Sequence, residues 1–195
     1  GISWSSRFFG LLGLAVTAGA FLGAFRFEGF EGDMWPRFRF RFEPTAEERL
    51  QEFLAADETT PTSTATAGEG ESVATSVGFQ VTETDWPGFR GPLRNGITSV
   101  KAGEFDWTKK PTELWRHPVG RGWSSFSVVQ GRAFTQEQRD DLECVVCYDI
   151  KTGQQIWAHE DDERFDEPLG GPGPRATPTI HESRLYSLGA TGLLN

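Results

Sequence analysis

The sequence predicts an all-β fold behind an N-terminal membrane anchor. Three observations carry that prediction: an uncharged run from Phe8 to Phe25, a change of texture after Asp85 to short apolar runs broken by Gly and Pro, and a tetrapeptide, "LWRH" at Leu114 to His117, that returns as "IWAH" at Ile156 to His159. They divide the 195 residues into an anchor with its juxtamembrane segment (1–42), a short helix with a disordered acidic Ser/Thr-rich linker (43–84) and a β domain (85–195).

The first element is "FFGLLGLAVTAGAFLGAF", 18 residues without a charge. A hydrocarbon core about 30 Å thick takes roughly 20 apolar residues, so residues 8–25 read as a transmembrane helix and the membrane as a partner. A secretory signal would need a small-residue cleavage site, whereas Arg26 and Phe27 follow directly. Arg26, Arg37, Arg39 and Arg41 follow the span and only Arg7 precedes it. Taken literally this keeps the C-terminal side cytoplasmic, and missing N-terminal sequence, such as a further span, would reverse the count.

In "PRFRFRF" the phenylalanines Phe38, Phe40 and Phe42 alternate with Arg37, Arg39 and Arg41, so an extended backbone puts rings on one face and guanidinium groups on the other. Such a strip lies on an anionic lipid surface or packs its Phe face on protein. In "PTAEERLQEFLAAD", Thr45 and Glu48 form a capping box and Leu50, Phe53 and Leu54 an apolar stripe, which predicts a short amphipathic helix. From Glu58 to Gly78 the chain is Ser, Thr, Ala and Gly with scattered acid, too polar to offset the entropy of ordering, so a flexible tether is expected.

Charge follows the same division. Residues 43–85 hold ten acidic side chains against Arg49 alone, which accounts for the whole net charge of −9 and leaves the remainder neutral. Nothing there clusters Lys and Arg as phosphate-backbone binding requires, so nucleic acid is excluded as a partner.

In the β domain, strands are expected at Glu113–His117, Ser125–Val129, Ala133–Gln136, Cys144–Asp149, Gln155–His159, Thr177–His181 and Leu185–Leu188. "LWRH" and "IWAH" are 42 residues apart; "SVVQGRAFT" (Ser127–Thr135) aligns with "TIHESRLYS" (Thr179–Ser187) at a shift of 52, with "EDDERFDEPLGGPGPRA" supplying the extra loop. A unit of this length with about four short strands is what a β-propeller blade requires, so the domain is expected to be a partial β-propeller, the first one to two blades of four-stranded antiparallel sheets. Trp115 and Trp157 would each fill the wedge between neighbouring blades. Asp149 would hydrogen-bond the turn and Gly153 take its positive φ.

"CYDIKTGQQIW" resembles the pyrroloquinoline-quinone-like (PQQ-like) repeat, apolar-x-Asp-x-x-Thr-Gly-x-x-x-Trp, through Tyr148, Asp149, Thr152, Gly153 and Trp157. "DWPGFRGPLRNGI" (Asp85–Ile97) is similar to the lead-in before the first blade of the large bacterial group of such propellers, many from planctomycetes. The resemblance covers residues 85–195, and with little more than one and a half blades where the family closes a ring of about seven or eight, the chain reads as an N-terminal fragment, unstable or aggregating when isolated. It implies an extracytoplasmic, periplasmic domain held to a bacterial inner membrane and acting as a binding or assembly scaffold with a protein partner on the propeller surface. The alternative is a quinoprotein dehydrogenase oxidising alcohols or sugars, with PQQ and calcium on the ring axis and often a disulfide between adjacent cysteines.

The visible chemistry is sparse. Cys144 and Cys147 form a CxxC without the strand-to-helix setting of a redox motif or the second ligand pair of a zinc site, and read as small buried side chains on opposite strand faces. His117 and His159 hold equivalent repeat positions and read as structural, and His181 stands alone, so no metal ligand is assigned. No catalytic residue is assigned either. Arg164, Arg175 and Thr177 are the candidate ligand-binding residues, able to meet an anion if Gly170, Gly171 and Gly173 let the backbone approach. The other reading is that these glycines make turns and Arg175 pairs with a nearby acid. "DDLECV" and "EDDER" read as solvated loops.

Overall fold

The computed structural model describes residues 3–30, 33–57, 63–65, 80–99, 106 and 108–195. The chain divides into two compact units, Gly1–Thr45 with Pro168–Gly171, and Ala46–Glu167 with Pro172–Asn195.

In the first unit, helix α1 (Trp4–Ala24) is capped by Ser3, whose hydroxyl accepts from the Ser6 amide. None of its residues is buried, and the 21-residue helix, with a mean hydropathy of 1.6 over its most apolar 18 residues, is long and apolar enough to cross a membrane. The helix ends where Phe25 turns extended, and the chain continues as a hairpin of β1 (Phe25–Phe30) and β2 (Pro36–Phe40). Arg41 closes the joint: its side chain donates to the Leu22 carbonyl at 3.0 Å and its amide to Ala24 at 2.8 Å.

The second unit opens with α2 (Ala46–Asp57), carrying Glu47 and Glu48 in its first turn, where carboxylates complement the positive end of the helix dipole. Leu50 is fully buried and Phe53 and Leu54 half-buried, so the predicted apolar stripe faces inward. Glu47 pairs with Arg121 at 3.1 Å and Gln51 donates to Asp140 at 2.8 Å.

The core is a five-stranded sheet ordered β3-β7-β6-β5-β4, built from β3 (Ser63–Ala65), β4 (Ser127–Val129), β5 (Arg132–Arg139), β6 (Leu142–Asp149) and β7 (Gln155–Asp161). Strands β4 to β7 are an antiparallel meander; β3 joins β7 in parallel. A second sheet pairs β8 (Thr179–His181) with β9 (Arg184–Tyr186). The inner strands are buried on both faces. Ala133, Cys144, Val146, Tyr148 and Ala158 form one apolar layer; Val129, Phe134, Cys147 and Ile180 form the other, flanked by Ile156, Trp157 and Leu185. Ile180 and Leu185 belong to β8 and β9, so the second layer lies between the two sheets.

The repeat seen in the sequence is a repeat of hydrogen-bonded register. Ser127 opposes Phe134, Val128 Ala133 and Val129 Arg132; 52 residues on, Thr179 opposes Tyr186, Ile180 Leu185 and His181 Arg184. Both hairpins turn on two residues at positive φ, Gln130–Gly131 and Glu182–Ser183, the geometry that matches the strand twist.

Three expectations need correction. Glu113–His117 is not a strand: Trp115 and His117 lie on one side of an unpaired stretch, bounded by Pro111 and Pro118, which offer no amide hydrogen. Ser63–Ala65, placed in the flexible tether, is strand β3, because the outer edge of β7 leaves backbone groups to pair; the rest of Glu58–Gly78 lies outside the described residues. The segments read as solvated loops are largely sheet: Leu142 to Cys144 open β6, and Glu160 and Asp161 close β7. Smaller shifts trim β8 to begin after Pro178 and β9 to end at Tyr186. Apart from the parallel pair β3–β7, the strands form antiparallel sheets; those of the second unit have five and two strands, where four were expected.

Candidate functional site

The turn Asp149–Gly153 is where the repeat residues meet. Asp149 Oδ1 accepts from the amides of Lys151 (2.8 Å) and Thr152 (2.9 Å) and from the Thr152 hydroxyl (3.2 Å), and these bonds hold its carboxyl below the usual aspartate range. Gly153 sits at φ +73°, and its amide donates back to the Asp149 carbonyl at 2.8 Å. Across this turn lies Trp115, 34 residues upstream of Asp149, whose indole Nε1 donates to the Ile150 carbonyl at 3.0 Å. His117 stacks on it with ring centroids 5.4 Å apart and reaches the Thr152 carbonyl at 3.3 Å. A Cβ on Gly153 would come within 2.6 Å of the indole, so glycine is required for close approach as well as for φ. Trp157 is placed differently: it stands in β7, half-buried, 6.1 Å from the Phe134 ring, in the layer shared with Ile180 and Leu185.

Beside this turn, α2 and the chain at Arg116–Val119 flank a shallow, open depression, with Phe53, His117, Pro118 and Val119 as its apolar floor and Arg49, Glu52 and Arg116 around them. The Phe53 and His117 rings meet at a tilt, with centroids 4.5 Å apart.

Arg164, Arg175 and Thr177 each engage separate partners. Arg164 donates to the Asp140 carbonyl (2.7 Å) and Asp141 (3.2 Å). Arg175 bonds the Gly173 carbonyl (2.8 Å) and Glu167 (3.1 Å) and lies over the Phe165 ring. Thr177 accepts from the Ser125 amide. Among the described residues, no three of His, Cys, Asp and Glu are grouped so as to hold a metal ion. Cys144 and Cys147 are both free and wholly buried on opposite faces, and burial pushes each thiol up to about 12.

Three buried charges escaped the sequence reading. Arg139 donates to Glu137 at 2.6 Å and to Gln155 at 2.7 Å, while the Tyr148 hydroxyl bridges to Glu137 at 3.3 Å. Burial opposes the Arg139 charge, but Glu137, Tyr148 and Cys144 together outweigh it and the guanidinium is held above its ordinary value. On the other face Glu143 accepts from the Ala190 amide with both oxygens at 3.1 Å; burial pushes its carboxyl up, against the pull of that amide, with Asp161 and Glu163 adding to the rise. The signal was the alternation in "TQEQRDDLECVVCYD", which pairs Glu137 with Cys144 and Arg139 with Leu142 once the two strands are folded about Asp140–Asp141.

No family model, curated protein or solved structure matches the chain.

Proposed function

We propose that the chain is part of a membrane-anchored, extracytoplasmic β-propeller of the PQQ-like repeat type, held at a bacterial inner membrane by α1 and acting as a binding or assembly scaffold. The observation that carries the reading is Trp115: an indole from one copy of the repeated tetrapeptide rests on the Asp-x-x-Thr-Gly turn of the following unit and is fastened there through Ile150. Radially arranged sheets would place such a contact between neighbouring units, where a flat ring can cover the turn of the next. The repeated register of the two hairpins at a spacing of 52 supports the same arrangement.

The scaffold reading draws on how the polar side chains are spent. Glu137, Arg139, Tyr148 and Gln155 satisfy one another, Glu143 holds a backbone amide, and Arg164 and Arg175 secure loops. These groups stabilise a platform, and the depression beside α2 is its recessed surface.

The test is made on the complete gene product solubilised from its native membrane. A scaffold runs as a discrete complex with a second protein and reduces no dye when PQQ and calcium are added. Dye reduction that depends on both additives, by a protein running alone, overturns the reading in favour of a quinoprotein dehydrogenase.

A further inference from the structure

The hairpin β1–β2 sorts its side chains by chemistry. Cross-strand pairs Phe25–Phe40 and Phe27–Phe38 share one face, and Arg26–Arg39 the other. Strict alternation would turn Phe30 to the arginine face. A bulge between Phe27 and Gly29 shifts the register by one, so that Phe30 opposes Pro36 and packs on Phe27 at 5.2 Å. The outcome is a sheet face of five phenylalanines, of which Phe27 is 52 % and Phe40 43 % exposed.

That face is fastened to the end of α1. Phe21 of the helix stacks on Phe25 at 4.9 Å and meets Phe38 edge-on at 5.1 Å, while Arg41 holds the last helical carbonyls. The charge of the arginine face, by contrast, is reduced from within. Glu28 is approached by Arg39 at 3.0 Å, Arg26 at 3.2 Å and Arg37 at 4.0 Å, and Glu43 lies 3.9 Å from Arg39. Residues 25–43 carry four arginines and four acids, no net charge.

We propose that this hairpin is a foot in the bilayer interface: its phenylalanine face lies among the headgroups and upper acyl chains of the leaflet where α1 ends, held by aromatic burial and indifferent to anionic lipid. The proposal rests on α1 being a membrane span. Aromatic rings favour that depth because it accepts an apolar body next to polar groups. Polybasic segments, in contrast, gain about 1 kcal/mol per unpaired cation near an anionic surface, a gain reduced where Arg26, Arg37 and Arg39 share Glu28 and Arg41 is spent on the Leu22 carbonyl. Continuity with the helix end identifies lipid as the occupant, since the joint at Arg41 sets the hairpin at the depth where the helix stops.

The test places single fluorophores on the full chain in vesicles, at Phe27→Cys and Phe38→Cys on one face, Arg37→Cys on the other and Leu14→Cys in mid-helix. The native cysteines are buried, with thiols at about 12, and stay unlabelled in the folded protein. Side chains on opposite faces of a sheet are separated by about 10 Å, so lipids brominated near the headgroup should quench the Phe27 and Phe38 probes roughly threefold more than the Arg37 probe. The ratio should be the same in phosphatidylcholine alone, with phosphatidylserine added, and in high salt. With the Leu14 probe quenched by deeply brominated lipid, equal quenching on both faces places the hairpin in water, and shielding of the Phe probes from lipid and iodide alike places it on protein; either overturns the proposal. Quenching that needs phosphatidylserine and fades in salt overturns the charge-neutral mechanism. An unquenched Leu14 probe instead removes the membrane span itself.

Discussion

Gly153→Ala should destabilise the protein far more than the same change at Gly131, although both glycines sit at φ +73°. Left-handed backbone costs an L-residue about 1–2 kcal/mol, and both variants bear that cost. At Gly131 the new methyl meets only Ile150 Cγ2, at 3.9 Å, an ordinary contact. At Gly153 it lands 2.5 Å from His117 and 2.6 Å from the Trp115 indole, so both rings must lift. Lifting breaks the bond to the Ile150 carbonyl, about 1 kcal/mol, and uncovers indole surface, about 1–2 kcal/mol more. The expected losses are roughly 3–5 kcal/mol at Gly153 and about 1–2 at Gly131, against a typical total of about 5–15. Urea titration of the detergent-solubilised chain, followed by tryptophan fluorescence, measures both. In a Trp115→Ala/His117→Ala background the excess should vanish and the two glycine variants become equal. Equal losses in the wild-type background would refute the docking of Trp115 on this turn and remove the main support for the repeat architecture.

Arg139→Met leaves Glu137 buried without its counter-charge and should cost about 3–5 kcal/mol, while Glu137→Gln/Arg139→Met should recover most of that loss in the same titration. Glu143 has its carboxyl raised by burial, so folding favours the protonated form. Its contribution to stability is full below the ordinary value of 4.5 and is lost as pH rises through the folded value. The urea midpoint of wild type relative to Glu143→Gln should therefore fall as pH increases from 4.5, and a flat difference would show that Ala190 compensates fully. A thiol at about 12 is ionised about three orders of magnitude less than a free one, so Cys144 and Cys147 should react with a thiol reagent at pH 8 only when denaturant unfolds the sheet.

What could be read from sequence depended on whether the deciding interaction was local. α1 and α2 were legible because length, capping residues and the stripe Leu50, Phe53 and Leu54 lie within one segment. The paired hairpins were legible because Gln130–Gly131 and Glu182–Ser183 occupy matching places in two aligned stretches. Glu113–His117 has the composition of a strand whether or not a ladder partner exists, and the partner it finds, the turn at Asp149–Gly153, is some 35 residues away. β3 was hidden for the converse reason: Ser, Thr and Ala carry no burial pattern, and pairing comes from the vacant edge of β7. The bulge between Phe27 and Gly29 lies outside what alternation can show, because one bulge residue reverses the face of Phe30. Arg164, Arg175 and Thr177 looked convergent in the linear chain, yet each is spent on a different stretch of backbone.

The buried charges give the central sheet more than a pairwise energy. Along β5, Phe134, Gln136 and Gln138 face the second sheet, whereas Ala133, Thr135, Glu137 and Arg139 face away, in step with the two apolar layers. Gln136 donates to the Leu188 carbonyl and Gln138 to those of Asp140 and Glu163, bonds available only on that face. A slip of β5 by one residue against β6 would exchange the faces, carrying Glu137 and Arg139 toward Ile180 and Leu185 and away from Tyr148 and Gln155. An ion pair moved into an apolar layer loses the hydrogen bonds that offset its desolvation, a cost of several kcal/mol, while the displaced glutamines lose their carbonyl partners as well. Hydrophobic layers on both faces would tolerate that slip with little penalty, since valine and cysteine fill either side. The charged network and the glutamine row are what forbid it, and by forbidding it they keep the Asp149–Gly153 turn at the place where the Trp115 indole can reach it.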